Sequence, residues 1–266
     1  MSNRGILEVL KDMRKYRNLL YMLTRRDIVV KYKQSVMGFM WAIFMPMLIV
    51  SAGMLVRCVF SRLSGVPITM KDIAAVSVKA IPWAFFVASI RFATVSLISN
   101  ANLVTKIYFP RKLFPIAAIL SQFFDFVVAS VTLAFILGIV RVGVSVQLLW
   151  VPVLVSLLFV FVLGLGILLS ALALFFRDVK YLVEVVLTFG IFVTPVFYEV
   201  GMFQEWAPIL LLNPIAPILE GLHASVVGHA APTVGWVAYS AVGSMAALCL
   251  SFLVFKNLEP AFAESI

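Results

Sequence analysis

The amino-acid sequence predicts an all-α integral membrane protein with six transmembrane helices. Of its 266 residues, 63% are hydrophobic and 12% are charged, and its mean hydropathy is +1.10. Soluble domains are about half apolar and about a quarter charged, so this composition excludes a soluble globular protein. The net charge is +9, but nine of the 21 Lys and Arg residues precede residue 34 and most others fall between apolar runs. Such charges are typical of membrane-span flanks rather than of a nucleic-acid-binding surface.

A basic amphipathic helix is predicted ahead of the first span. Apolar residues recur at helical spacing from Ile6 to Leu23, with Lys and Arg between them. This pattern is typical of a helix in the membrane interface, although a soluble helix packed on a partner would show the same periodicity. We assign residues 1–34 to this cytoplasmic interface helix and its linker, 35–257 to the transmembrane domain and 258–266 to a cytoplasmic tail.

Six apolar segments are long enough to cross the roughly 30 Å of membrane hydrocarbon. In chain order they cover 35–56, about 81–100, most of 113–140, most of 149–175, about 181–198 and about 236–255. Span 6 carries small residues at a spacing that suits close helix contact. The apolar segment between spans 5 and 6 is cut by four prolines, so it predicts short interfacial or re-entrant helices instead of another crossing.

The distribution of Lys and Arg predicts that both termini face the cytoplasm. With the N-terminus inside, fifteen of these residues lie on the cytoplasmic side and five on the other, and Arg91 lies within span 2. The loop from Glu199 to Gly235 contains neither Lys nor Arg, as expected of an outside loop.

Arg91 in span 2 and Asp125 in span 3 are the charges farthest from the predicted membrane surfaces. Isolated charges at that depth are expensive, so each should face a partner or a water-filled path. The two would pair if the spans pack antiparallel, and such a pair predicts that Arg91→Ala lowers folded yield more than Asp125→Asn. A proton-relay role is the alternative. His223 and His229 lack a third ligand nearby, so we predict no metal site.

The loop between spans 2 and 3, "NANLVTKIYFPRKLFP" from residue 100 to residue 115, interrupts the apolar sequence with basic residues and two aromatics. Asn102 can continue a helix that Pro110 would end. Tyr108 and Phe109, beside basic residues, suit either a contact with a protein partner or an aromatic belt at headgroup depth.

Two motifs carry a family resemblance. "RRDIVVKYKQSVMGFMWAIFMP" and the loop just quoted, supported by "LFFRDVKYLVEVVLTFGIFVTPVFYE" and "LNPIAPILEG", resemble the permease subunits of type-2 ABC exporters, closest to the polysaccharide and O-antigen branch. The resemblance runs from about residue 20 to 257. It implies that two copies form a channel and that each copy binds a separate cytoplasmic ATPase, which would hold ATP and Mg. The chain itself lacks the phosphate-binding pattern GxxxxGK[ST] and is predicted not to be an enzyme.

The resemblance also implies roles for parts of the chain. The N-terminal helix would be a second ATPase contact, and the segment after Tyr198 would supply outward-facing gate helices. The cargo would be a polymer carried on a polyprenyl diphosphate lipid. The implied ATPase-coupling residues lie in the loop between spans 2 and 3: Asn102, Lys106, Tyr108, Phe109, Pro110 and Arg111.

Two further sets are candidates for contact with such a cargo. Basic groups just inside span 1 would bind the lipid diphosphate, or more generally anionic headgroups: Arg26, Lys31, Tyr32 and Lys33. Aromatic side chains on spans 1 and 5 would stack on sugar rings in the channel, or else simply pack against lipid and helices: Phe39, Trp41, Phe192, Phe197 and Tyr198.

The sequence therefore predicts a channel-forming subunit of an ATP-driven exporter in the cytoplasmic membrane of a bacterium. A proton-coupled secondary transporter using Arg91 and Asp125 is the alternative, but transporters of that class often contain internal repeats and we find none. An intramembrane enzyme would require paired acidic residues or a His/Asp motif near one face, and neither is present.

Overall fold

The computed structural model describes residues 15–33, 35, 37–65, 67–106, 110–139, 141–259 and 262, and these ranges are almost entirely helical. The ten α-helices in them are α1 (Arg17–Lys33), α2 (Trp41–Ser64), α3 (Met70–Ser99), α4 (Ala101–Lys106), α5 (Leu113–Ile139), α6 (Trp150–Phe175), α7 (Val179–Val193), α8 (Ala207–Leu211), α9 (Ala216–Val226) and α10 (Val234–Leu258).

Five helices, α2, α3, α5, α6 and α10, are long and apolar enough to cross a membrane. The described residues are all-α, as predicted, and five of the predicted spans coincide with these candidate membrane helices. The predicted fifth span contains α7, which has 15 residues and continues as turns through Tyr198. A helix of that length rises only about 22 Å, less than the hydrocarbon core of a bilayer. The sixth crossing and the orientation of the chain therefore stay predictions.

Helix α3 is the centre of the domain and contacts α2, α5, α6, α7 and α9. Small buried residues such as Ala80 and Ala93 let these neighbours approach closely. A cluster of aromatic rings joins α3 to α5 and α6, with Phe85 5.0 Å from Phe126 and Phe123 5.0 Å from Phe159 between ring centroids. Such ring pairs stabilise beyond the area that they bury.

The N-terminus of α3 lies well before the predicted start of span 2 near residue 81. Thr69 is its N-cap residue and forms a capping box with Asp72, which satisfies the first free amide groups of the helix. Lys71 and Lys79 are two of the five residues that the charge distribution places outside the spans, but both belong to this helix.

Helix α1 packs along α5. The predicted amphipathic helix covers residues 5–23, of which 5–14 lie outside the described residues. The observed helix continues ten residues further, to Lys33. Leu23 belongs to the apolar cluster that contains Leu113 and Ile116 of α5. Lys31, two turns after Leu23 on α1, contacts Gln122 and Asp125 of α5.

The predicted short helices between spans 5 and 6 are present. A 3-10 segment, Val200–Trp206, precedes α8 and α9, which have five and 11 residues. Pro208 and Pro217 stand in the first turn of α8 and α9, where a missing amide hydrogen does no harm.

Helices α6 and α10 come into close backbone contact at Gly164. A Cβ atom on Gly164 would lie 2.6 Å from the backbone nitrogen of Leu248 and 2.7 Å from the carbonyl carbon of Ala247. The small residues of span 6 therefore permit the close contact predicted for them.

Gly164→Leu is expected to destabilise the protein by at least about 1–3 kcal/mol, the usual effect of overpacking, because the two backbones must separate. Thermal unfolding in detergent would measure the change. Gly235→Leu is the matched control, since a Cβ at Gly235 of α10 meets no atom within 4 Å. Equal melting temperatures for the two variants would contradict the tight contact.

Candidate functional site

A network of five charged side chains joins α2, α3 and the segment after α7. We call it the five-charge network and define it as Arg57, Asp72, Lys79, Glu199 and Glu220. Arg57 on α2 donates to Asp72 on α3 (2.6 Å) and to Glu199 (2.8 Å). Lys79, two turns after Asp72, donates to Glu220 of α9 (3.2 Å). The network therefore links α2 and α3 to Glu199, which follows α7, and to Glu220 on α9.

Lys79 is the most buried member of this network, with no exposed surface. Its ammonium group also donates to the backbone carbonyl of Tyr198. Glu220 in turn accepts a hydrogen bond from the backbone amide of Val200 (3.3 Å). Tyr198 to Val200, the turn where the chain leaves the α7 region, is thus held from both sides.

The electrostatics of the network favour an ionised Glu199 beside a neutral histidine. Burial alone would raise the pKa of Glu199, but the hydrogen bond from Arg57 and the nearby cations hold it below its usual value. Burial and the Lys79 ammonium lower the pKa of His223, whose Nδ1 lies 4.0 Å from Glu220. The imidazole is therefore uncharged at pH 7. The carboxylates of the network pair with Arg57 and Lys79 instead.

Sequence reasoning missed this network. The count of Lys and Arg places Arg57 and Lys79 outside the spans and gives neither a partner, although Lys79 lies only two residues before the predicted start of span 2. The network could have been anticipated from one rule: a charged residue so close to a membrane span needs a partner of opposite charge.

Asp125 forms a second polar cluster, with α1. It accepts from the Lys31 ammonium and from the Tyr32 hydroxyl, and Lys31 also donates to Gln122 (3.0 Å). Burial and the hydrogen bond to Asp125 raise the pKa of Tyr32, so its phenol stays protonated as a donor. These contacts fix the end of α1 at the middle of α5.

The four residues predicted to bind a lipid diphosphate do not form one cationic surface. Lys31 and Tyr32 are bound to Asp125, and Arg26 pairs with its neighbour Asp27 at 2.8 Å. Lys33 is exposed at the end of α1. Lys33, and Arg26 if it leaves Asp27, are the members of this set placed to meet an anionic group.

Arg91 does not pair with Asp125; it forms a two-pronged ion pair with Glu184 of α7, at 2.7 and 2.8 Å. The physical reason is helix packing. The side of α3 that carries Arg91 contacts α7, while Asp125 lies on the side of α5 that contacts α1. About half of each side chain, 47%, is exposed. A small polar cavity of about 220 Å³ adjoins the pair and is also lined by Thr94, Lys180 and Tyr181.

The predicted channel-lining aromatics occupy different environments. Phe192 is 67% exposed on α7, on the same side as Phe189. Phe197 instead packs against α2, where a Cβ on Gly53 would come within 2.6 Å of its ring. Tyr198 donates to the Phe192 carbonyl at 3.1 Å, and Trp41 packs edge-on against Phe44. Phe39 lies in the turn Gly38–Met40.

The loop implied to couple to an ATPase begins with a short helix. Helix α4 contains Asn102, which is exposed, and Lys106, while Tyr108 and Phe109 lie outside the described residues. Pro110 follows them. The Arg111 guanidinium donates to the Glu259 carbonyl (2.7 Å) and lies 5.6 Å from the centre of the Phe262 ring. Arg111 thus holds the C-terminal segment against the domain, an arrangement that the sequence did not predict.

Comparison with known proteins agrees with the resemblance predicted from the motifs. The profile of the family described as "ABC-2 type transporter" matches residues 18–227. An O-antigen export system permease protein, RfbA, of Myxococcus xanthus is 27% identical over 98% of this chain and 100% of its own length. A protein of the same name from Klebsiella pneumoniae is 28% identical over 76% of this chain and 77% of its own.

The family profile covers the helices from α1 to α9, except the first residue of α1. It therefore includes the five-charge network, the polar cluster around Asp125 and the Arg91–Glu184 pair. The two relatives are named as permeases, in keeping with the absence of an ATP-binding pattern here. The chain belongs to the ABC-2 type transporter family.

Proposed function

We propose that this chain is the transmembrane subunit of an ATP-driven exporter that moves a lipid-linked polysaccharide, of O-antigen type, across the cytoplasmic membrane of a bacterium. The observation that carries the proposal is the alignment with an O-antigen export permease over 98% of the chain. Two copies form the path, and each binds one subunit of a cytoplasmic ATPase that holds ATP and Mg.

In this proposal α7 and the turns after it complete a sixth crossing, with both termini in the cytoplasm. One face of α7 supports its position at the path, because Tyr181, Val185, Phe189 and Phe192 are each more than half exposed. A subunit that meets a second copy, or encloses a wide cargo, needs such an unpacked face. The polar cavity beside Arg91 and Glu184 adjoins the same helix and offers hydrogen-bonding groups to hydroxyls or phosphates.

The five-charge network has a role in the same proposal. It ties the segment after Tyr198 to α2 and α3, and this segment is where the resemblance places the outward gate. The ion pairs are discrete contacts that can break when the gate moves.

The proton-coupled alternative loses its specific support. It depended on a pair between Arg91 and Asp125, but each of these residues has a different partner. No other described contact favours it.

A pull-down in detergent tests the proposed coupling. We expect the wild-type chain to capture its cognate ATPase, and a Tyr108→Ala/Phe109→Ala variant to lose most of it, because aromatic side chains such as Tyr are frequent hot spots of protein interfaces. Arg111→Ala should be made separately, since Arg111 also holds the Glu259 carbonyl. Phe135→Ala is the control, because Phe135 is an exposed aromatic on α5 and does not belong to the α7 face assigned to the path.

Measuring the amount of surface polysaccharide in cells that carry the same variants shows whether loss of ATPase binding also stops export of the polymer. Loss of both ATPase capture and surface polymer in the loop variant, with the control unaffected, supports the whole proposal. Retention of the ATPase by the loop variant would place those aromatics in the interface belt. Failure of the wild-type chain to capture any ATPase would contradict the exporter assignment.

A further inference from the structure

An apolar groove of about 720 Å³ lies between the second half of α5 and the first half of α6. Val78 and Ile81 of α3 form its floor, and Leu222 of α9 closes one side. It extends along α5 from Phe126 to Gly138, a rise of about 18 Å. The volume falls within the range of about 300–1,000 Å³ typical of small-molecule sites.

The α5 wall of this groove adjoins a surface suited to hydrocarbon. Val131, Phe135 and Ile139 on the same turns of α5 are each 65% exposed or more. In a multi-pass membrane protein such a surface faces acyl chains or another apolar helix. The groove therefore opens beside an apolar surface of α5.

One cation stands at the mouth of the groove. Arg141 is the only charged residue between Asp125 and Arg177. Its side chain lines the groove, is exposed, and makes no hydrogen bond or ion pair within the part of the chain that the structure describes. It lies two residues after Ile139, the last residue of α5, and has a positive φ of 57°. Such a backbone conformation is uncommon for residues other than glycine.

The surroundings of Arg141 indicate that it lies at headgroup depth. In the loop that follows, Val144 is 90% exposed, Val146 78% and Leu149 73%. So much apolar surface around a loop is suited to the membrane interface. An arginine there extends its guanidinium to lipid phosphates, which it binds through paired hydrogen bonds.

We propose that the groove between α5 and α6 is a binding site for one anionic phospholipid. Its acyl chain fills the space above Val78 and Ile81, and its phosphate binds Arg141. The argument for this occupant is complementarity: an apolar cleft of acyl-chain length ends at a single unpaired cation. A second protein helix would fill the apolar part but would leave the guanidinium without an anion. The inference is independent of the polymer that the transporter moves.

Native mass spectrometry of the full-length chain, exchanged into detergent, tests this site. The probes are phosphatidylglycerol and phosphatidylcholine with identical acyl chains. We expect one phosphatidylglycerol per chain and a preference over phosphatidylcholine of about five-fold, the contribution of one basic residue near an anionic lipid. Arg141→Asn should remove this preference, since Asn tolerates a positive φ and keeps the turn intact.

Two further variants separate the site from general lipid binding. A Cβ at Gly138 would meet no atom within 4 Å, so Gly138→Phe places its ring in the open groove and should abolish binding of both lipids. Gly235→Phe, at another open glycine, should change nothing. Arg62→Ala, at an exposed arginine near the end of α2, is the control for Arg141→Asn and should keep the preference.

Several results would overturn the proposal. One is equal affinity of the wild-type chain for the two lipids, or no bound lipid at all. Another is retention of the preference by Arg141→Asn in a chain that remains monodisperse. Displacement of phosphatidylglycerol by a polyprenyl phosphate at lower concentration would assign the groove to the carrier lipid. Dissociation of an oligomer by Gly138→Phe would assign it to a second copy.

Discussion

Lys79→Met is expected to destabilise the protein by about 3–5 kcal/mol, the usual effect of removing one partner from a buried ion pair. Lys79 has no exposed surface and donates to both the Glu220 carboxylate and the Tyr198 carbonyl. The methionine would fill most of the space but leave Glu220 charged without its nearest cation, and the turn after α7 without its tether. Thermal unfolding in detergent and the yield of monodisperse protein measure the effect.

The same network supplies the controls for this prediction. Lys71→Met, at an exposed lysine eight residues earlier on α3, should change the melting temperature little. Glu220→Gln added to Lys79→Met removes the stranded charge and should restore part of the loss, because the two residues act as a coupled pair. A double variant no more stable than Lys79→Met alone would mean that the tether to Tyr198, and not the ion pair, carries the stabilisation.

Apolar runs allowed most of the fold to be predicted from the sequence. Spans 3, 4 and 6 match α5, α6 and α10, because about 20 uncharged residues in one run have few alternatives to a membrane helix. Span 1, predicted as 35–56, overlaps α2, which begins at Trp41 and continues past Arg57 to Ser64. The prolines after Tyr198 likewise predicted short helices there. Helix α3 was predicted too short, since the rule that charges end a span fails where they are paired inside the protein, as with Lys79 and Glu220.

The partners of the charged residues could not be predicted in the same way. Arg91 and Asp125 were each recognised as needing a partner, and each has one, but the identity of that partner depends on the rotation of each helix. A single sequence does not fix which side of α3 faces α7, or that α1 lies along α5. The ion pairs with Glu184 and Lys31 follow from those packing choices.

Asp125→Asn is expected to loosen α1 from α5 and to lower folded yield more than Arg91→Ala, the reverse of the order that a pair between Arg91 and Asp125 predicts. Asp125 is mostly buried, with 15% of its side chain exposed, and it accepts from both Lys31 and Tyr32. Hydrogen bonds to a charged group contribute about 1.5–3 kcal/mol each. Arg91 and Glu184 are half exposed, and exposed ion pairs contribute about 0–1 kcal/mol.

Hydrogen exchange along α1 distinguishes a local effect from general unfolding. In Asp125→Asn, amides from about residue 25 to Lys33 should exchange faster while those of α6 stay protected, because only the contact between α1 and α5 is weakened. Asp178→Asn, at an exposed acid before α7, is the matched control and should leave exchange unchanged. If Arg91→Ala destabilised the protein as strongly as Asp125→Asn, the pair with Glu184 would have to be buried in the assembled transporter. Such a result would place the exposed side of α3 and α7 at a contact with the second copy.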